Sequence, residues 1–371
     1  IFVDPLAIAS TQPANTQTQH TLTISNTGGL DLDWTIDEEP DAAPPPVQPQ
    51  MVERIDSDAM LAAELSGEET TAPVAIEPRD PAASARARRM LLTTGLLLVP
   101  DSTNDRVMAF DPITGNLVDA NFIPTNAVLG TAVNAILNVS GDGILVSDQT
   151  GDVVHEFDLN GNYLGIFAPA GGANTAILNN IRGISLDAAG NLLVTTADAT
   201  NVDAVAKFDT NGTYLGNFIA SGAGGLNSPF DIYGRPADWL VASIDSDNVL
   251  RFDLAGAPLG VFAGVNNFPE QIAEAGNSNV LAANFGGTQE GVVEFTSTGT
   301  FVGAYDPATL GGYRGVYELP GGTILTTTGT GVHEINRSGA LVQSKITGVS
   351  GRFIEYVVIQ TGCTNPADIP W

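Results

Sequence analysis

The chain has 371 residues, 43% of them hydrophobic, so it can bury a sizeable core in one or two domains. Its 42 acidic and 14 basic residues leave a net charge of −28, a surface that repels nucleic acid and anionic membrane and argues against both as partners. No apolar run reaches the roughly 18–20 residues of a membrane helix, and 41 glycines with only 15% charged residues suit many short strands joined by tight turns. The acidity fits a soluble exported protein, or one living in salt or among divalent cations. The chain begins at Ile1 with neither Met nor a signal-peptide pattern, which predicts a processed product or part of a longer precursor. Cys363 is the only cysteine, so it is either an inert thiol or half of a bridge to another molecule.

Residues 1–36 hold three strand-like runs: Ile1-Phe2-Val3, then His20-Thr21-Leu22-Thr23-Ile24-Ser25, then Leu30-Asp31-Leu32-Asp33-Trp34-Thr35-Ile36. Asn26-Thr27-Gly28-Gly29 makes the turn between the last two, whose apolar and polar residues alternate. Three strands are too few for an independent sandwich, so the segment reads as half of a domain. The run from Thr21 to Gly29, followed by Leu32-Asp33-Trp34-Thr35-Ile36, resembles the start of immunoglobulin-like modules of large bacterial secreted proteins, of the choice-of-anchor or abnormal-spindle-like kind. The C-terminal Cys363-Thr364-Asn365-Pro366-Ala367-Asp368-Ile369-Pro370-Trp371 resembles the middle of the same module. The resemblance implies a split, incomplete immunoglobulin-like domain formed by residues 1–36 and 361–371, with the intervening chain as an insertion. The other reading is that both ends are extra strands packed on that insertion.

Residues 37–89 change character. Pro44-Pro45-Pro46, dense acidic residues and Ala-rich stretches mark a linker, with one short helix expected near Ser57-Asp58-Ala59-Met60-Leu61 and capped by Ser57 or Asp58.

Residues 90–360 are repetitive. Phe208-Asp209-Thr210-Asn211-Gly212-Thr213-Tyr214-Leu215-Gly216 has a near copy at 157–165 and further copies from Phe252 and Phe295, with weaker ones from Phe110 and Ile335. Each reads as a strand end, a Gly-bearing turn and a new strand. The anchors recur every 40 to 51 residues, about 45 on average, with several short strands per unit. That period predicts an all-β fold, a six-bladed β-propeller. The first unit lacks an inner strand, whereas Arg352-Phe353-Ile354-Glu355-Tyr356-Val357-Val358 is an inner-type strand with no unit after it. The ring should therefore close as one strand plus three, which removes free edges. Asp101-Ser102-Thr103-Asn104-Asp105-Arg106-Val107 resembles the Asp-x-x-Asn-x-Arg-Val core of NHL-type propeller repeats, and later copies such as Asp148-Gln149-Thr150-Gly151-Asp152-Val153 lose the Arg. A propeller hosts hydrolases, lyases and pure binding modules alike, so the fold does not give the function.

Aligning the inner strands puts Asn134, Arg182, Phe230, Glu270, Arg314 and Arg352 at one place in each blade, at the channel entrance. Three arginines converging there suggest an anion- or carboxylate-binding mouth with Asn134, Arg182, Glu270, Arg314 and Arg352 as its residues. Alternatively, the arginines pair with Glu270, Asp231 and Glu355 and plug the channel. Asp101/Asp105, Asp148/Asp152 and Asp245/Asp247 are weak calcium candidates, because Asp in tight turns usually bonds its own backbone. No other cofactor or metal is expected. His20 lies outside the propeller, while His155 and His333 occupy equivalent third strands away from the channel, so neither a metal site nor a triad is visible.

These features predict a non-enzymatic protein of the bacterial cell surface or exterior, a subunit of a fibre or array. Its partners would be other copies of itself or adjoining modules of the same protein. Assembly would run by β-strand complementation, with Ile1, Phe2 and Val3 or the segment around Cys363 and Trp371 as donor. A ligand-binding adhesin propeller using the arginine mouth, and a propeller hydrolase or lyase, are the alternatives.

Overall fold

Every repeat unit folds into a four-stranded antiparallel blade, and six blades make the ring. The structure, a computed structural model, describes residues 95–359 together with two further strands, Phe2–Asp4 and Thr23–Ser25. The expected linker at 37–89 with its helix, the C-terminal piece at 361–371, and Ile1, Cys363 and Trp371 lie outside the described residues.

Blade one contains Leu96–Asp101, Arg106–Phe110 and Leu117–Ile123, and its innermost strand is Glu355–Val357 from the far end of the repeat region. Glu355, Tyr356 and Val357 face Leu98, Leu97 and Leu96, so the ring closes as one strand plus three. The rings of Tyr317 and Tyr356 stack 6.4 Å apart between the innermost strands of blades six and one. The innermost strands of blades two to six are Ala132–Leu137, Ile181–Leu186, Pro229–Gly234, Pro269–Glu274 and Val316–Glu318, each followed outward by three strands in chain order. The last two inner strands, in blades six and one, begin two to three residues later than Arg314 and Arg352, where the sequence places them. The second strands, such as Leu96–Asp101 and Leu192–Thr196, are buried along their whole length because neighbouring blades cover both faces. Hence they read as near-continuous apolar runs. The only helical elements among the described residues are three short 3-10 turns, and no helix is long and apolar enough to cross a membrane.

The recurring Phe-Asp-x-x-Gly stretch does three jobs. Its aromatic anchors Phe110, Phe157, Phe208, Phe252 and Phe295 are buried between blades, each contributing about 2–3 kcal/mol of transfer free energy. The Asp fixes the turn: Asp209 Oδ1 accepts the N–H groups of Asn211 and Thr213, both at 2.9 Å. Gly212 has φ +75°, and a Cβ there would stand 1.7 Å from the carbonyl oxygen of Phe167 in the preceding blade. Only glycine allows both the turn and the contact between blades. The same geometry recurs at Gly256 against Phe218.

At the N-terminus, Phe2–Asp4 pairs antiparallel with Thr23–Ser25, Val3 facing Ile24.

Candidate functional site

Antiparallel pairing brings the start of each inner strand beside the end of the second strand: Ala132 faces Asp148, Ile181 faces Thr196, Pro229 faces Ser243 and Pro269 faces Asn284. The channel-mouth residues and the Asp-rich hairpin turns therefore share one face of the ring. Directly after these pairs the register shifts in all four blades. A bulge inserts one extra residue and re-aims its side chain. The extra residues are Val133, Arg182, Phe230 and Glu270. Asn134 is not their equivalent. It lies one position further along the channel, opposite Ser147, level with Asp231 opposite Ala242. Spacing alone had aligned Asn134 with Arg182, because a bulge leaves no mark on the sequence.

The mouth residues are buried, Arg182 and Glu270 completely. Arg182 donates from Nε to Asn180 Oδ1 (3.3 Å) and from Nη1 to the Pro229 carbonyl (3.2 Å), and its guanidinium lies 5.1 Å over the Phe230 ring. Arg314 donates to Ser350 Oγ at 2.6 Å and lies 5.7 Å over Phe285. Arg352 donates to Ser102 Oγ at 2.9 Å. Such cation–ring contacts stabilise a desolvated guanidinium by about 2 kcal/mol. Val133, Phe230 and Phe353 belong to one buried apolar cluster, and the Phe353 N–H donates to the Val133 carbonyl.

One layer further in, Gln271 ties three blades together. Its Oε1 accepts the N–H groups of Val316 (2.8 Å) and Ile354 (3.0 Å), and its Nε2 donates to the Ile354 carbonyl (2.8 Å). Asp231 Oδ2 accepts the Ile272 N–H. Burial, reinforced by the nearby Glu355 charge, pushes the Asp231 carboxyl well above the usual carboxylate range despite that bond. Burial likewise raises the Tyr233 phenol, which faces Glu274, Glu355 and Asp231. Neither polar atom of the Asn134 amide, nor Asp231 Oδ1, has a protein hydrogen-bond partner. Chain spacing named Asp231, Glu355 and Asn134 but not Gln271, whose role depends on two chain segments far off in sequence.

The Asp candidates sit in turns, and Asp101 and Asp148 bond the backbone of their own turns, while Asp152 accepts the Asn180 N–H of the next blade. Asp101 Oδ2 accepts Asn104 Nδ2 (2.8 Å) and Arg106 Nε (3.0 Å), which makes the Asp-x-x-Asn-x-Arg run a hairpin lock. In blade two, which lacks the Arg, Asp148 accepts the N–H groups of Gly130 and Thr131 and lies 3.4 Å from His155 Nε2. Burial alone would raise Asp148, but His155 and the N–H groups of Gly130, Thr131 and Gly151 outweigh it and hold the carboxyl at about 2. Burial raises Asp105 and Asp152, and charges nearby reinforce it: Asp148 and Asp101 around Asp105, Asp148 and Asp198 around Asp152. Asp105, Asp152 and Asp247 all take left-handed φ, and Asp245 lies in the 3-10 turn Ile244–Ser246. Among the described residues no three His, Cys, Asp or Glu gather into a group that could hold a metal ion.

The two described histidines, on the third strands of their blades, reach to both neighbouring strands. His155 Nδ1 meets Tyr163 Oη at 3.2 Å, while His333 bridges Thr328 Oγ1 (3.2 Å) and Ser344 Oγ (3.0 Å) and is lowered by burial. A cavity of about 430 Å³ lies away from the channel, lined by Pro169, Gly172, Asn174, Thr213 and Tyr214 among others.

No protein-family model matches the chain, and no curated protein matches it in sequence. Solved structures do match. One described as a nidogen/laminin complex superposes with a TM-score of 0.56 at 14% identity, covering 71% of this chain and 99% of that one. A gluconolactonase from Xanthomonas campestris superposes with a TM-score of 0.50 at 15% identity, covering 70% and 87%. A Bacteroides caccae protein of unknown function follows with a TM-score of 0.49 at 16% identity, covering 71% and 98%. At these identities the likeness is one of fold: the chain carries a six-bladed β-propeller, a class shared by an enzyme and by a component of a protein complex.

Proposed function

We propose that the chain is a non-enzymatic structural or interaction protein of the bacterial cell exterior, in which the propeller is a rigid scaffold. One observation supports this above the others. Every lysine and arginine between residues 95 and 359 has a partner within the chain, the three mouth arginines included. An anionic substrate or ligand at the mouth would have to displace buried, well-placed donors, at a cost of about 1–3 kcal/mol for each one left unmatched.

Assembly by strand complementation is the finer form of the reading. Among the described residues the N-terminal sheet has two strands, and a pair of strands is marginal alone, so a strand from a neighbour or an adjoining module would complete it. The split immunoglobulin-like module and the NHL-type repeat belong to the same proposal. The Asn134 amide and Asp231 Oδ1, buried in the channel without protein partners, favour a second reading, in which the channel admits a small polar ligand.

The test is electron microscopy of purified native material beside a chain lacking residues 1–10. Fibres from the full chain, and a folded truncated chain that forms none, are the expected result. Cation-dependent hydrolase or lyase activity, abolished by Arg182→Ala with Arg314→Ala, would overturn the reading.

A further inference from the structure

The outermost strand of each blade carries a bulge just after the turn. Phe157 faces Tyr163 while Glu156 faces Gly165, so Leu164 is the extra residue. The same count makes Leu215, Leu259, Val302 and Val342 the extra residues of blades three to six. All five are aliphatic and point outward, between 48% and 59% exposed. Five bulges throwing an apolar side chain into solvent at one register is a built feature rather than scatter.

The belt is also electrically quiet. The outer strands Tyr163–Ala168, Tyr214–Ile219, Pro258–Gly264 and Phe301–Tyr305 contain no charged residue. In blades three to six the third-strand charges beside the bulges are neutralised within the chain: Lys207 by Asp187 (2.7 Å), Arg251 by Asp238, Glu294 by Arg337 (2.8 Å) and Glu334 by Lys345 (2.8 Å); in blade two Glu156 accepts Asn138 Nδ2 at 3.0 Å. In a chain carrying −28, this is the surface on which a second copy could approach without setting acid against acid. The bulges also bend each outer strand out of register for edge-to-edge pairing, so contact would be through side chains.

We propose that the bulged belt of Leu164, Leu215, Leu259, Val302 and Val342 is a lateral self-association surface, its occupant the belt of a second copy. The proposal rests on the reading of the chain as a self-assembling, non-catalytic protein and names the surface that such a protein uses sideways. Each blade-to-blade contact is small and weak, and repetition around the ring lets one copy meet several neighbours at once.

Sedimentation velocity of the full chain over a concentration series, at low and raised salt, tests it. The wild type should associate with concentration, more strongly as salt screens its charge. Leu215→Asp should weaken association about tenfold, and the triple variant Leu164→Asp, Leu215→Asp, Leu259→Asp should weaken it further, with an unchanged unfolding midpoint. A monomeric wild type at every concentration overturns the proposal, as does a triple variant that associates like the wild type. Wild-type binding to zwitterionic vesicles through these leucines, without self-association, overturns it too. Deleting residues 1–10 should leave belt association intact, which separates it from strand donation. An enzymatic activity would remove the functional reading while leaving the belt result to stand.

Discussion

The channel and the rim of this propeller use one device in opposite senses. At the inner strands a bulge turns Arg182, Phe230 and Glu270 into the centre, where all three are buried and Arg182 is hydrogen-bonded. At the outer strands a bulge turns Leu164, Leu215 and Leu259 out into solvent. Polar groups are thus gathered inside and aliphatic ones displayed outside, the reverse of ordinary partitioning, and each reversal needs its own explanation. Inside, the polar groups hold blades together. Outside, the aliphatic groups are available to a partner.

The sharpest way to break this contrast is at Gln271. Replacing it with Leu strands two N–H groups and a carbonyl in the channel, and chemical denaturation should register a loss of about 3–5 kcal/mol. A loss below about 1 kcal/mol would mean that the channel is not a hub. Next is Asp148. Its carboxyl titrates at about 2 when folded, against 3.8 ordinarily, so it contributes about 2 kcal/mol that is present above the unfolded value and lost as pH falls through the folded one. Asp148→Asn should lose that amount at neutral pH and converge with the wild type in strong acid.

Asp231 carries the opposite sign. Its folded value is raised, so its favourable contribution is present in acid and lost as pH climbs through that value. Asp231→Asn, which mimics the protonated group, should therefore raise the unfolding midpoint at alkaline pH relative to the wild type, with the gap closing in acid. The smallest effect is expected outside: Leu215→Asp should change unfolding free energy by less than about 0.5 kcal/mol, and a larger loss would make the belt a buried structural element.

The blade count and the one-plus-three closure were legible because the Phe-Asp-x-x-Gly stretch repeats and because the first and last units complement each other. The bulges were not. Spacing puts Asn134 level with Arg182 although it stands one residue deeper, and nothing in the sequence sets Leu215 apart from the rest of the strand that follows the turn. In both cases an extra residue shifts side chains to another face without altering composition or spacing in any recognisable way. The fate of the arginines was equally hidden, since burial by Phe230 and Phe285 depends on neighbouring blades. The Asp pairs were legible as turn residues, and Asp101 with Asn104 and Arg106 shows how that run locks its hairpin.

Hydrogen exchange at the channel amides tests the central claim most directly. The N–H groups of Ile272, Val316 and Ile354 are bonded to the Asp231 and Gln271 side chains. If the channel is a closed hub, these amides exchange only through global unfolding, with protection equal to the full stability of the propeller. Fast exchange at those three positions, with the blade cores still protected, would show a channel that opens to solvent and would contradict the account.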